Sequence, residues 1–324
     1  MDIPVICTGE ILVDLIPREV GRYQEGEVIE VHFGGAPANV AIGVSRLGVK
    51  SAFLGAVGND PLGDMLIEYL RMEKVFERWV ARKSARTSLA FVTAKPDGER
   101  EFFFYRPPWA LTADALLSVE DIDWSAVKKS RVIHVSGVAL SQPPLRDTIL
   151  EVIKVAAEEG IHVSLDPNYR PDIWSNAQWA AKEVVNKALN YTDVAMFGYD
   201  EMLPLFGTED HVQAARFLFS CNSRLEYVAI RLGSKGAYVA NRNGEEVFSK
   251  AFKVQVVDTT GAGDAWAAGF IVFKLIEERS LEEATMLANA IAGIKCTKRG
   301  ATSGMPRRSE LEAFLREQGI KVDI

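Results

Sequence analysis

Two hydrophobic rhythms share this chain. Short apolar runs, among them Val5-Ile6-Cys7-Thr8, Val132-Ile133-His134-Val135, Val194-Ala195-Met196-Phe197 and Tyr227-Val228-Ala229-Ile230, read as buried strands. Longer periodic stretches lie between them and predict helices over about 36–47, 145–159 and 282–296, with another opening at Asp60-Pro61. Alternation of this kind predicts a parallel sheet covered by helices on both faces. Early segments break the rhythm. Residues 11–16 carry the first strand on to Pro17, and 21–31 is polar and partly alternating, as exposed antiparallel strands are. Residues 87–94 and Arg100–Tyr105 flank Lys95-Pro96-Asp97-Gly98-Glu99, a hairpin signal. Near the end, Ser309-x-x-Glu312 predicts a capping box opening a helix that stops at Gly319. No repeat or linker divides the sequence, so one α/β domain over 1–324 is expected, with the early β segments projecting from it.

Two glycine turns lead into helices. Thr260-Gly261-Ala262-Gly263-Asp264 precedes the apolar run Ala265-Trp266-Ala267-Ala268-Gly269-Phe270. N–H groups at a helix start lack intrahelical acceptors, and glycines let an anion approach them. A carboxylate at the rim, Asp264, adds a proton acceptor, the pairing that phosphoryl transfer requires. Taken alone, Asp264 is equally a helix cap. Upstream, Gly34-Gly35-Ala36-Pro37-Ala38-Asn39 opens a second helix, with Gly48 as its C′ residue. Asn39 either offers its amide to a polyol or satisfies local backbone.

Together these motifs, spaced to Gly48 and Gly58, resemble the two signatures of the ribokinase-like sugar kinases of the phosphofructokinase-B type, across almost the whole chain. Gly9-Glu10-Ile11-Leu12-Val13-Asp14, Phe104-Tyr105-Arg106 and Asp166-Pro167-Asn168-Tyr169-Arg170 are most similar to fructokinases. The resemblance implies a doubly wound, mainly parallel sheet with helices on both faces. A small β-sheet lid from about 11–33 and 87–106 would close over the sugar and pair with a second subunit, giving a homodimer. The implied activity is ATP-dependent phosphorylation of a primary sugar hydroxyl, fructose above all. 2-Keto-3-deoxygluconate kinase, or another ribokinase-like kinase such as an inositol or nucleoside kinase, is the alternative within the class, and a catalytically silent sugar- or nucleotide-binding regulator is the alternative outside it.

Carried over residue by residue, Asp264 is the base, and Gly261, Ala262 and Gly263 give backbone donors to the transferred phosphoryl. Asp14, Gly34, Gly35, Asn39, Tyr105, Arg106, Asn168 and Arg170 would hold the sugar. Ketodeoxygluconate kinases tend to lack the aspartate at position 14, so its presence favours a neutral sugar. Gly233, Lys235, Gly236, Thr260 and Asn289, with Gly261 and Gly263, would contact ATP. Glu201 would organise Mg²⁺ through water, and Asp258 and Thr260, with the Gly300-Ala301 loop, would form a K⁺ site. Gly198 and Arg231 depart from the family, which favours Asn or Ser and Thr there. Trp266 reads as core.

Composition narrows the partners. The 324 residues carry a net charge of −7 with no dense basic stripe, which argues against nucleic acid. Three scattered cysteines suggest buried thiols in a reducing cytosol rather than zinc. No apolar stretch reaches the roughly 18 residues of a membrane span, and no signal peptide is evident, so a cytoplasmic protein is expected.

Overall fold

A computed structural model describes residues 3–18, 23–94, 100–174 and 177–324. Its strands are β1 (Val5–Thr8), β2 (Leu12–Pro17), β3 (Ile29–Gly34), β4 (Ser51–Gly58), β5 (Val80–Lys83), β6 (Ser88–Ala94), β7 (Arg100–Tyr105), β8 (Val132–Ser136), β9 (His162–Asp166), β10 (Val194–Gly198), β11 (Tyr227–Arg231), β12 (Ala237–Asn241) and β13 (Glu246–Ser249). Nine form one sheet in the order β13-β12-β11-β10-β9-β8-β1-β4-β5. All its pairings from β5 to β11 are parallel, and β12 and β13 add antiparallel. Alternate residues of the buried strands feed two cores: Ile133 and Val135 of β8 face one, while Val132 faces the other. Likewise Ala195 and Phe197 of β10 oppose Val194 and Met196. A sheet apolar on both faces needs helices on both, as the alternation predicts.

The first strand does not run on to Pro17. Gly9, at φ +142°, turns the chain, and β2 joins a separate sheet ordered β3-β2-β6-β7. Of the strands expected over 21–31, only β3 from Ile29 forms; no strand appears over 23–28. Residues 19–22 and the turn 95–99 lie outside the described residues, although β6 and β7 do pair antiparallel.

Register sorts the small sheet's side chains. Asp14 lies opposite Ala90, which lies opposite Phe104, so these share a face, and Phe102 follows on it. The other face carries Phe91, Phe103 and Tyr105, with Tyr23 edge-on to the first two. Val31, Phe103 and Tyr105 there are exposed.

Helix boundaries follow their caps. Asp60 caps the Pro61–Met72 helix through Gly63 N–H at 2.9 Å, and Gly48, at φ +92°, follows the Ala36–Arg46 helix. The final helix is Arg308–Glu317, and its box closes two residues earlier than expected: Arg307 N–H donates to Glu310 at 2.8 Å. Cys7 is buried, but Cys221 is exposed, against expectation. Among the described residues no helix is long and apolar enough to cross a membrane.

The Ala36–Arg46 and Ala262–Phe270 helices cross so closely that a Cβ on Gly43 would stand 2.6 Å from the Ala268 methyl. Arg46 ends the first of these helices and ties it to other segments. It pairs with Glu73 at 2.7 and 2.9 Å and donates to the carbonyls of Thr302 and Met305 at 2.6 and 2.7 Å. Replacing one partner strands a nearly buried carboxylate. Arg46→Met is expected to lower the unfolding free energy by about 2–4 kcal/mol in urea titration.

Candidate active site

Three neighbouring parallel strands deliver charge to one sheet edge. β9 ends in Asp166, β11 ends in Arg231, and Glu201 stands in the first turn of the Tyr199–Phe206 helix after β10. The carboxyl ends of parallel strands are where open α/β sheets bind ligands. Arg231 holds the group together: it is paired with Asp166 through both nitrogens, one bond at 3.0 Å, and donates to the Gly263 carbonyl at 3.2 Å. It also lies 3.8 Å from Glu201. Glu201 accepts from the N–H groups of Gly198 and Tyr169, both at 2.5 Å. Burial foremost, then Asp166, pushes its carboxyl upward in pKa against the pull of Arg231.

Asp264 enters from the facing helix. Gly261 caps that helix in the left-handed region at φ +76°, with Ala301 so close that a Cβ would lie 2.9 Å from its Cα. No other residue fits both demands. Asn39 Nδ2 donates to Asp264 Oδ2 at 2.8 Å, joining the two glycine turns. Gly35, at φ +103°, starts the Asn39 helix, and a Cβ there would stand 2.6 Å from the Glu10 carbonyl. Burial pushes the Asp264 carboxyl up to about 6; the Asn39 bond and the Arg170 and Arg231 charges oppose this, and Asp166 adds to it.

Beneath the small sheet several buried polar atoms lack a hydrogen-bond partner among the described residues: Asn39 Oδ1, Glu10 Oε2, and Arg106 Nε and Nη1. Glu10 accepts from Ala36 N–H at 3.3 Å, and burial raises its pKa to about 7 despite the Arg106 charge. Asp14 is buried against Gly34, where a Cβ would come within 2.6 Å of its carboxylate. The unsatisfied atoms of Asn39, Glu10 and Arg106 are costly unless a polar ligand completes them.

Most of the expected residues converge here. Asn168, at φ +47°, donates its N–H to Asp166 at 3.2 Å, and Arg170 lies over the Phe102 ring at 5.6 Å. Gly233, Lys235 and Gly236 form the turn directly after Arg231, with Lys235 exposed. Several expectations change. Tyr105 stands on the opposite face of β7 from Phe102 and Phe104, because strand side chains alternate, and it stacks near Phe91 instead. Phe102 is the ring turned toward Arg170. Arg106 is enclosed, 1% exposed, and its Nη2 is paired with buried Asp114 at 3.1 Å. Asn289 spends its amide internally: it accepts from Trp266 at 2.9 Å and donates to the carbonyls of Ser249 and Lys250 at 2.9 and 3.2 Å. Ala262 N–H is already bonded to the Thr259 carbonyl at 3.0 Å. The Asp258 carboxylate joins Thr260 N–H at 2.8 Å and Gly300 N–H at 2.7 Å, and the Asp258 carbonyl accepts from the buried Lys295 ammonium at 2.7 Å.

Asp166, Arg231 and Glu10 were missing from the expected site. Asp166 and Glu10 lay inside quoted motifs, and Arg231 registered only as a departure from the family.

The model of pfkB family carbohydrate kinases matches residues 3–308. The chain belongs to the pfkB family of carbohydrate kinases. It is 36% identical to fructokinase-1 of Zea mays over 315 residues, covering 95% of this chain and 96% of that protein. A fructokinase of Xylella fastidiosa, solved with bound ATP, superposes with a TM-score of 0.87 at 27% identity, over 98% of this chain and all of that one. A fructokinase of Vibrio cholerae, solved with fructose, ADP and a calcium ion, gives a TM-score of 0.84 at 32% identity, over 97% and 99%. A double mutant of that enzyme has been solved with fructose, ADP and potassium.

The raised Asp264 pKa has a stability consequence. An unfolded aspartate ionises near 3.8 and the folded one near 6, so the folded state is favoured below about pH 3.8 and loses that advantage as pH rises through 6. Asp264→Asn removes the buried charge. Its unfolding free energy at pH 8 should exceed the parent's by about 1–2 kcal/mol, with the gap closing near pH 4.

Proposed function

We propose that the protein is an ATP-dependent fructokinase, a single domain whose small sheet acts as a lid over the sugar. The supporting observation is the Asn39–Asp264 bond at the start of the Ala262–Phe270 helix, a proton acceptor beside backbone donors in a buried site. The fructokinase relatives and the unsatisfied Asn39, Glu10 and Arg106 atoms support a polyol acceptor. Asp14 completes that pocket and disfavours an anionic sugar acid.

In the proposed step a primary hydroxyl oxygen of fructose attacks the γ-phosphorus of ATP. The new O–P bond forms as the bond to the bridging oxygen breaks, ADP leaves, and the hydroxyl proton passes to Asp264. Asn39 aims the carboxylate. Gly263 and Asp264 N–H groups at the helix start face the developing phosphate charge. The turn Gly233–Gly236 lies on the nucleotide side of the same sheet edge. Asp166, Glu201 and Asp264 outnumber Arg231 and Arg170 in charge, which suits a hydrated Mg²⁺ held largely by water and phosphates. Bound there, the ion would neutralise phosphate charge. We place the reaction in the cytosol, in keeping with the three free thiols.

ADP release over a panel of sugars tests this reading. Fructose should lead, and a preference for ketodeoxygluconate overturns it. Asp264→Asn should retain sugar and nucleotide binding while kcat falls by about 10³-fold or more. In the parent, kcat/KM should fall about tenfold per pH unit below about 6, because only the ionised carboxylate accepts a proton.

The exposed outer face of the small sheet, with Phe103 and Tyr105, supports dimerisation through the lid. Sedimentation should give a dimer for the parent and a monomer for Tyr105→Glu; a monomeric parent removes the proposal.

A further inference from the structure

Lys295 stands in the last turn of the Leu281–Cys296 helix and is 0% exposed. Its ammonium donates to the Asp258 carbonyl at 2.7 Å. The Asp258 carboxylate meanwhile accepts from Thr260 N–H at 2.8 Å and Gly300 N–H at 2.7 Å. Val257 and Asp258 N–H groups donate to the Cys296 carbonyl at 2.8 and 3.1 Å, which draws the helix end against the same segment. The negative end of that helix and a buried carboxylate both favour a cation at this point. Three residues beyond Asp258, Gly261 begins the anion-binding turn.

Asp258, Thr260 and the Gly300 loop are the segments that the family resemblance assigns to K⁺, and here the Asp258 carbonyl among them is engaged by a positive charge attached to the chain. A free monovalent ion would share their space with the ammonium, and two like charges in a buried cluster repel strongly. We infer that Lys295 is the protein's own monovalent cation: it fills the place of K⁺ behind the anion-binding turn and makes the enzyme independent of added K⁺. Its charge also orients the Asp258–Thr259 peptide. A carbonyl turned toward a cation presents the peptide N–H on the opposite side, because the trans peptide is planar. Lys295 is thus a positioning residue, acting on the turn and not on the reactants.

The kinetic arm of the test rests on the fructokinase reading; the melting arm does not. The full chain is measured in potassium chloride and in choline chloride at equal ionic strength, about 100 mM. For the parent, turnover of fructose and melting temperature should differ less than about twofold and by under about 2 °C between the salts. Activation by K⁺ of about tenfold or more overturns the inference. Lys295→Ala empties the oxygen cluster. It should melt lower and turn over more slowly in choline chloride, and recover toward the parent in potassium or ammonium chloride. A variant that responds equally to choline and K⁺, or stays unfolded in both, overturns it as well. If no sugar is phosphorylated, the salt dependence of the two melting curves still decides the question.

Discussion

The hydrogen bond from Asn39 to Asp264 spans 225 residues and joins the two glycine turns into one site. The groups to which the proposed function gives a catalytic role are arranged around that contact. It exists because Gly35 and Gly261 take backbone shapes closed to other residues, so that both helices begin at the same point. It also sets the electrostatics. Burial makes the Asp264 charge costly, and a neutral amide donor lowers that cost without adding a competing cation. Arg231 stands one shell back, tied to Asp166 and to the Gly263 carbonyl, so its charge stabilises the turn without capturing the carboxylate.

Much of the architecture was legible as periodicity. The strand–helix alternation, the Asp60 cap, the C′ glycine at 48 and the β6–β7 pairing are local consequences of residue choice, and all formed. What failed depends on tertiary context. Period-two patterning tells which residues of β7 share a face, but not that Asp14 and Phe102 would share theirs while Tyr105 stands on the other. Nothing near Arg106 in sequence announces that Asp114 will enclose it, or that Trp266 and two carbonyls will consume the Asn289 amide. Lys295 is a sharper case. Nothing in a helix that also carries Glu282, Glu283 and Asn289 marks this lysine for burial, and only the fold brings it to Asp258.

Departures from a family pattern proved more informative than the matches. Gly198 lacks a side chain to contribute, yet its N–H anchors the Glu201 carboxylate. Arg231 replaces a small hydroxyl with a guanidinium and pulls Asp166 into the site. Only the arginine adds charge at the sheet edge, and the Asp264 turn stays in place beside it.

The crossing at Gly43 and Ala268 has a bearing on how such an enzyme can diversify. With no space for even one added methyl between them, the helices carrying the acceptor and its amide guide behave as a single rigid block. Under the proposed function, changes in sugar preference would then be written in the small sheet and its inner face, where Asp14 and Phe102 stand on separable strands. Chemistry and selectivity are thereby kept in different parts of the molecule, and one can be altered without dismantling the other.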